Sequence, residues 1–299
     1  MSRPIPMLHE QRPRLPAWFK VELRQGPDYQ EIRRLTQELN LHTICEEARC
    51  PNVWECWNNR TATFLILGDI CTRRCHYCAV TTGRPLPLDE AEPERVAAAV
   101  KRLGLRHAVI TSVNRDELPD GGARIFAETI RAIRRELPTC TIEVLIPDFL
   151  GDLAALETVL AAKPDILNHN IETVPRLFPS VRPQGKYQRS IAVLEAAASC
   201  GAVTKSGLMV GLGETLEEVR TVMRGLHAAG CAILSIGQYL QPTKAHWPVL
   251  RFYPPEEFRL LKAEGLALGF RHVESGPLVR SSYHAAEQAS CRSVTPTSV

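Results

Sequence analysis

Thr63-Phe-Leu-Ile-Leu-Gly-Asp-Ile-Cys71-Thr-Arg-Arg-Cys75-His-Tyr-Cys78 reads as a short apolar strand running into a loop with three cysteines. From this stretch onward the chain repeats one pattern. Apolar runs with a β-branched bias predict strands at 63–67, 108–113, 141–146, 165–171, 203–210 and 232–240. Between them, apolar residues at i, i+3, i+4 spacing with acidic first turns predict helices at 92–103, 123–137, 153–162, 190–200 and 216–229. Strands joined by single helices run parallel with right-handed crossovers, so the expected fold is α/β, a partial (β/α)6 TIM-like barrel with N-terminal and C-terminal extensions. A doubly wound sheet is the alternative. In both, ligands sit at the carboxyl ends of the strands. The informative polar residues cluster there: Cys71, then Asn114, Arg115 and Asp116, then Asp148, then Asn168, His169, Asn170 and Glu172, then Glu214, then Gln238 and Gln241.

Upstream, the first forty residues are rich in Pro and Arg, with an amphipathic stretch at 29–41, and read as an extended arm. Downstream, residues 270–299 hold one further candidate strand and Arg280-Ser-Ser-Tyr283, and residues 293–299 read as a frayed end. The expected division is 1–60, an arm with a metal-binding segment; 61–269, the barrel; and 270–299, a C-terminal segment.

The 299 residues carry a formal net charge of +3, with 44% hydrophobic and 23% charged residues. Those are globular values, and no apolar run is long enough to span a bilayer. The N-terminus lacks the apolar core of a secretory signal, so a cytoplasmic address is expected. A net charge this small gives no reason to expect a nucleic-acid partner. Ten cysteines are many for a reducing compartment, where clustered thiols hold metals or do chemistry. Six form two triplets, Cys45, Cys50, Cys56 and Cys71, Cys75, Cys78; Cys140, Cys200, Cys231 and Cys291 stand singly and read as small packed hydrophobes.

Three thiolates on a [4Fe–4S] cluster leave one iron open to a ligand, whereas structural zinc takes four protein ligands. The spacing C-x3-C-x2-C after a first strand, with Tyr77 before the last cysteine, resembles the radical S-adenosylmethionine superfamily. The second triplet has gaps of five and six residues, which no single helical face brings together, and Pro51 breaks the chain after Cys50. A second cluster fits better than zinc, because a fourth local Cys or His is missing.

Together with Thr61-Ala-Thr-Phe64, Thr111-Ser-Val113, Arg115-Asp116, Asn168-His-Asn170, Lys205-Ser-Gly-Leu-Met-Val-Gly-Leu-Gly-Glu214, Gln238-Tyr-Leu-Gln-Pro242 and Arg280-Ser-Ser-Tyr283, the two triplets resemble the lipoyl synthase family over residues 40 to 290. Asn114 and Glu117 stand where that family more usually has Asp. The resemblance implies two [4Fe–4S] clusters and S-adenosylmethionine, two of the latter per product. It implies sulfur insertion at C6 and C8 of a protein-bound octanoyl-lysine chain, with the N-terminal cluster as sulfur source and Ser282 as its fourth ligand. The candidate cofactor contacts are Tyr77, Thr111, Ser112, Asn170, Glu172, Lys205 and Gln238.

The partners implied are octanoylated carrier proteins (the glycine-cleavage H protein and dehydrogenase E2 domains), a ferredoxin- or flavodoxin-type electron donor, and iron–sulfur assembly proteins. Arg73, Arg74, Arg115, Arg182, Lys186 and Arg189 are candidates for a basic rim toward an acidic carrier, against the default of solvated surface charge. His169, His246 and His284 carry no assignment. Two rival readings are a methylthiotransferase with two clusters, which would call for an RNA-binding appendage, and a zinc-stabilised scaffold without catalysis.

Overall fold

The computed structural model describes residues 14–20 and 25–289. Cys291 and the expected frayed end fall outside the described residues. One sheet holds eight strands in sequence order: β1 (His42–Thr43), β2 (Thr63–Ile66), β3 (His107–Ser112), β4 (Thr141–Leu145), β5 (Ile166–Asn168), β6 (Thr204–Val210), β7 (Ile233–Gln238) and β8 (His272–Gly276). Strand β1 pairs antiparallel with β2, and every other pairing is parallel. Strictly sequential order means that every crossover winds the same way. That makes a barrel wall and rules out the doubly wound alternative, whose order reverses midway. β1 and β8 are both edges, so the barrel is open.

The crossover helices are α4 (Glu92–Leu103), α5 (Ala123–Glu136), α6 (Leu153–Ala161), α8 (Tyr187–Ser199), α9 (Leu216–Ala228) and α10 (Pro255–Leu268), with the single turn α7 (Phe178–Val181) before α8. Their starts follow local chemistry. Asp152 accepts from the Ala154 and Ala155 amides at the head of α6, and Thr215 and Glu218 form a reciprocal capping box on α9. On α5, Phe126, Ile130 and Ile133 face the sheet and are fully buried. Strand β2 is buried on both faces, as a parallel strand between helices and a filled interior must be.

Two elements extend the expected barrel. β8 adds a seventh parallel strand, so the sheet continues past the expected boundary at 269. β1 leads into α2 (Ile44–Glu47) and α3 (Val53–Asn58), which carry the first cysteine triplet. The amphipathic arm helix α1 (Pro27–Glu38) buries Ile32 and Leu35 and stacks Tyr29 on Trp54, with ring centroids 4.8 Å apart. Exposed ladder groups of β2 are thus covered by β1, and the arm fixes α3 against the barrel. The short α11 (Ala285–Ala289) ends the described chain. Among the described residues no helix is long and apolar enough to cross a membrane.

Candidate active site

Parallel strands of period two line the barrel interior with alternate residues. One such layer crosses His107 on β3, Glu143 on β4, Asn168 on β5 and Lys205 on β6. Lys205 Nζ donates to both oxygens of Glu143 at 2.9 and 3.1 Å, and Asn168 donates to the same carboxylate at 2.9 Å. Burial pushes the Glu143 pKa up, but Lys205 and His107 outweigh it and hold the carboxyl at about 2. Nearer the carboxyl ends of the strands, Thr111, Leu145 and Asn170 form part of the wall of a cavity of about 140 Å³. Cys71, Cys75, Tyr77, Cys78, Ser112, Glu172 and Arg182 are among its polar lining.

The cysteine loop is pinned from several directions. The Asn114 and Arg73 amides donate to the Cys71 sulfur at 3.3 and 3.4 Å. Arg73 is fully buried, gripping Asp116 at 2.7 and 2.8 Å and Asp148 at 2.5 Å. His76 and Trp247 exchange the loop's backbone with the far wall: the His76 amide donates to Val181 and its carbonyl accepts from Trp247. Burial raises the Cys78 thiol to about 12 and raises Cys75 as well. Metal-free, these thiols are protonated, so loading iron displaces protons.

Among the described residues, Ser112 Oγ, Asn114 Oδ1 and Asn170 Oδ1 in this wall have no protein partner, nor does Arg73 Nη1. Buried acceptors without partners are rare and mark a ligand position. Gly207 makes room there, because a Cβ on it would stand 2.6 Å from Asn170 Oδ1. Glu172 has φ +68, strained for a side chain with a Cβ, and burial raises its pKa. Arg182 opposes that rise. Thr111 Oγ1 donates to Leu145 O at 3.1 Å, leaving its lone pairs toward the cavity.

Lys205 and Gln238, the other two candidate cofactor contacts, do not line this cavity. Lys205 is consumed by Glu143 one layer below. Gln238 is 1% exposed, donates to Tyr239 O and Arg251 O, and accepts from the Tyr253 amide. The glycines at 211 and 213 have φ of +100 and +110 and build a tight turn held by Glu214, whose carboxylate accepts from the Gly211 and Leu212 amides. The basic rim is also mostly interior. Arg73, Arg115 and Arg182 are buried in hydrogen-bond networks, Arg189 pairs with Asp148 at 3.3 Å, and only Arg74 and Lys186 are exposed. His169, buried and held neutral with its pKa lowered to about 4 by burial and Arg182, bridges Ile146 O and Ser190 Oγ. Of the single cysteines, Cys140 and Cys231 are buried as expected, whereas Cys200 is exposed after the end of α8.

The first triplet lies on the segment that follows β1. Cys45 sits in α2, Cys50 in the turn after it, and Cys56 in α3; the Cys50 amide donates to Cys45 O at 2.9 Å, folding the loop back. Burial is the main cause that raises all three thiols, Cys45 to about 12, and Cys50 adds to the rise at Cys45 and Cys56. The segment after β8 crosses to this loop. Asn52 Nδ2 donates to Leu278 O at 2.7 Å, and Tyr283 Oη donates to Glu55 at 3.0 Å. Between these anchors, Thr63 Oγ1 donates to Ser282 Oγ at 2.9 Å. The Thr63 amide also lowers the Cys45 pKa by hydrogen bonding, so one residue of β2 touches both the thiol and the serine. Among the described residues no three His, Cys, Asp or Glu side chains are gathered closely enough to hold one metal ion. Neither triplet is a single-ion cage. Three soft thiolates on a folded loop are the donor set of an iron–sulfur cluster, in which each thiolate binds a different iron.

Comparison with known proteins decides the family. The radical SAM superfamily profile matches residues 65–226, and the profile of the N-terminal domain of lipoyl synthase matches residues 4–50. The lipoyl synthase of Rubrobacter xylanophilus is 64% identical over 275 residues, covering 91% of this chain and 86% of that protein. The chain belongs to the lipoyl synthase family. The lipoyl synthase of Chloroflexus aurantiacus is 59% identical, covering 92% of this chain and 90% of its own. Among solved structures, methylornithine synthase superposes with a TM-score of 0.54 at 16% identity over 82% of this chain and 74% of its own, a likeness of fold alone. As a lipoyl synthase the enzyme is a radical sulfurtransferase. It uses iron–sulfur clusters and S-adenosylmethionine to insert two sulfur atoms into the octanoyl chain of lipoyl carrier proteins.

Proposed function

We propose that the two cysteine triplets divide the lipoyl synthase reaction between them inside one barrel. Cys71, Cys75 and Cys78 hold the cluster that binds S-adenosylmethionine. Cys45, Cys50, Cys56 and Ser282 hold the auxiliary cluster that donates sulfur. The observation that carries this reading is that Ile44, the neighbour of Cys45, forms part of the wall of the cavity lined by Cys71, Cys75 and Cys78. The two sites therefore adjoin, and a substrate carbon in that cavity is near both.

When bound, the clusters and S-adenosylmethionine would supply the radical chemistry and the sulfur. The chain supplies position. Ser112 Oγ and Asn170 Oδ1 accept hydrogen bonds from the cofactor's polar groups, Thr111 and Glu172 offer further acceptors, and Tyr77 packs beside the cysteines. Asn114 and Arg73 amides donate to the Cys71 sulfur and hold the loop against cofactor binding and release. Residues 1–60 act as arm and auxiliary-cluster segment, 61–269 as the radical core together with β8, and 270–299 as the strap that brings Ser282.

The proposed carriers are the glycine-cleavage H protein and dehydrogenase E2 domains. A ferredoxin- or flavodoxin-type donor supplies electrons, assembly proteins restore the auxiliary cluster, and the enzyme works in the cytoplasm. The test is anaerobic turnover with an octanoyl-lysine peptide, S-adenosylmethionine and reductant, with products followed by mass. A gain of two sulfurs with about eight irons per chain supports the assignment; colourless protein with stoichiometric zinc overturns it.

A further inference from the structure

Three segments far apart in sequence meet around the loop of Cys71, Cys75 and Cys78, and none of them carries a carboxylate. Residues 70–88, 173–194 and 239–255 contain no Asp or Glu, in a chain that has 33. Hydrogen bonds join them. On one side the His76 amide donates to Val181 O at 2.9 Å and the Arg74 amide to Gln184 Oε1 at 3.2 Å. On the other, the Trp247 amide donates to His76 O at 2.8 Å and His246 Nε2 donates to Cys78 O at 2.9 Å. Each segment brings one exposed cation to this junction: Arg74 on the loop, Lys186 two residues beyond Gln184, and Lys244 in the turn that the His246 amide closes on Thr243 O. Among the described residues no carboxylate pairs with these three side chains, whereas Arg176, Arg189 and Arg251 on the same segments are held by Glu218, Asp148 and Glu257. Asp116 and Asp148, which reach the loop, grip the buried Arg73.

Arg73 lines the cavity, and Arg74, Lys186 and Lys244 do not. The unpaired cations therefore belong to the outer side of the loop, away from the space where substrate reacts. A surface of one sign steers a partner of the other sign and raises its rate of encounter. A protein that delivers an acyl chain has to cover the mouth of the cavity. An electron donor has only to come close to the cluster from outside, and such encounters use small interfaces. Resting on the assignment of the radical cluster to Cys71, Cys75 and Cys78, we propose that Arg74, Lys186 and Lys244 form the docking face for an acidic one-electron carrier protein. The docked donor is oxidised by one electron and the cluster is reduced by one; no bond forms or breaks in that step.

The test uses the full chain with both clusters, an octanoyl-lysine peptide and S-adenosylmethionine, with an acidic flavodoxin, reduced beforehand, as sole electron source. Formation of 5′-deoxyadenosine is followed against flavodoxin concentration. In a Lys186→Glu/Lys244→Glu variant, which leaves the cysteine loop itself untouched, the initial slope is expected to fall about tenfold at low salt, and the gap from wild type to close as salt rises. Adding Arg74→Gln should lower the slope further. With dithionite in place of flavodoxin, the double variant should match wild type in iron content, rate and peptide KM. An unchanged slope at low salt overturns the inference, and a raised KM for an octanoylated carrier protein in that variant would give the face to the carrier instead. An equal loss with dithionite also overturns it, since the lysines would then be structural. Wild-type enzyme that forms no 5′-deoxyadenosine even with dithionite would overturn the cluster assignment beneath it.

Discussion

The two cysteine sites are built by opposite means. Cys71, Cys75 and Cys78 occupy eight consecutive residues, and their loop is clamped by buried charge, the Arg73 pairs with Asp116 and Asp148. Cys45, Cys50 and Cys56 sit on two short helices and the turn between them, and the strap meets this segment and β2 through hydrogen bonds of Asn52 to Leu278, Thr63 to Ser282 and Tyr283 to Glu55. Those bonds span 226, 219 and 228 residues in sequence. The first site is a finished local motif on a strand end, positioned by the barrel. The second is tied to the far end of the chain through few contacts, so little has to part to expose it.

The largest expected effect breaks the comparison at the thiols. Replacing Cys71, Cys75 or Cys78 by Ala should abolish reductive cleavage of S-adenosylmethionine, whereas Cys45→Ala, Cys50→Ala or Cys56→Ala should leave cleavage measurable as 5′-deoxyadenosine and remove all thiolated product. A Cys50→Ala enzyme without auxiliary iron that still produced lipoyl peptide would end the division of labour.

Deleting the residues after Val279 should come next in size. It removes Ser282 and Tyr283 together, so auxiliary iron should fall while the radical cluster and cofactor cleavage persist. Ser282→Cys sharpens the point: a softer thiolate should keep iron yet stall sulfur release, visible as unmodified or singly thiolated peptide. Doubly thiolated product at wild-type yield would show that oxygen ligation is dispensable.

The charge clamp can be tested by stability. Arg73→Met leaves the fully buried Asp148 with Arg189 alone, and losing one partner of a buried pair costs about 3 to 5 kcal/mol, here at the lower end because that second arginine remains. Urea unfolding of the metal-free chain measures it, and a loss under about 1 kcal/mol would refute the clamp.

A further test concerns the interior layer beneath the cavity. The Glu143 carboxyl is held at about 2 in the fold, below its ordinary 4.5, so its contribution to stability is present above about pH 4.5 and is lost as pH falls toward 2. Lys205→Met should abolish that acid-labile part. Acid titration by circular dichroism compares the two, and identical profiles would remove the Glu143–Lys205 pair from the account. Smallest of all, Tyr283→Phe removes one exposed hydrogen bond to Glu55 and should cost about 0.5 to 1.5 kcal/mol, with partial loss of auxiliary iron on chelation as the measurable sign.

Much of this molecule is legible in its sequence because the governing physics is local. Alternation of β-branched runs with amphipathic helices specifies parallel strands with right-handed crossovers, and from that alone the cysteine loop after the first strand falls at the ligand end of a barrel. The two triplets, by spacing, name their own chemistry. What only the tertiary structure decides is which polar residues face the ligand. Lys205 and Gln238 are buried on barrel strands, yet one is spent on Glu143 and the other on the backbone of residues 239, 251 and 253. A strand's period tells which face a side chain takes but not how deep along the barrel it sits. Burial of Arg73 is likewise illegible, since a basic residue reads as surface until its carboxylate, 75 residues away, is placed beside it. The meeting of Ser282 with Thr63 depends on two distant parts of the chain closing on each other, a contact with no short-range signature.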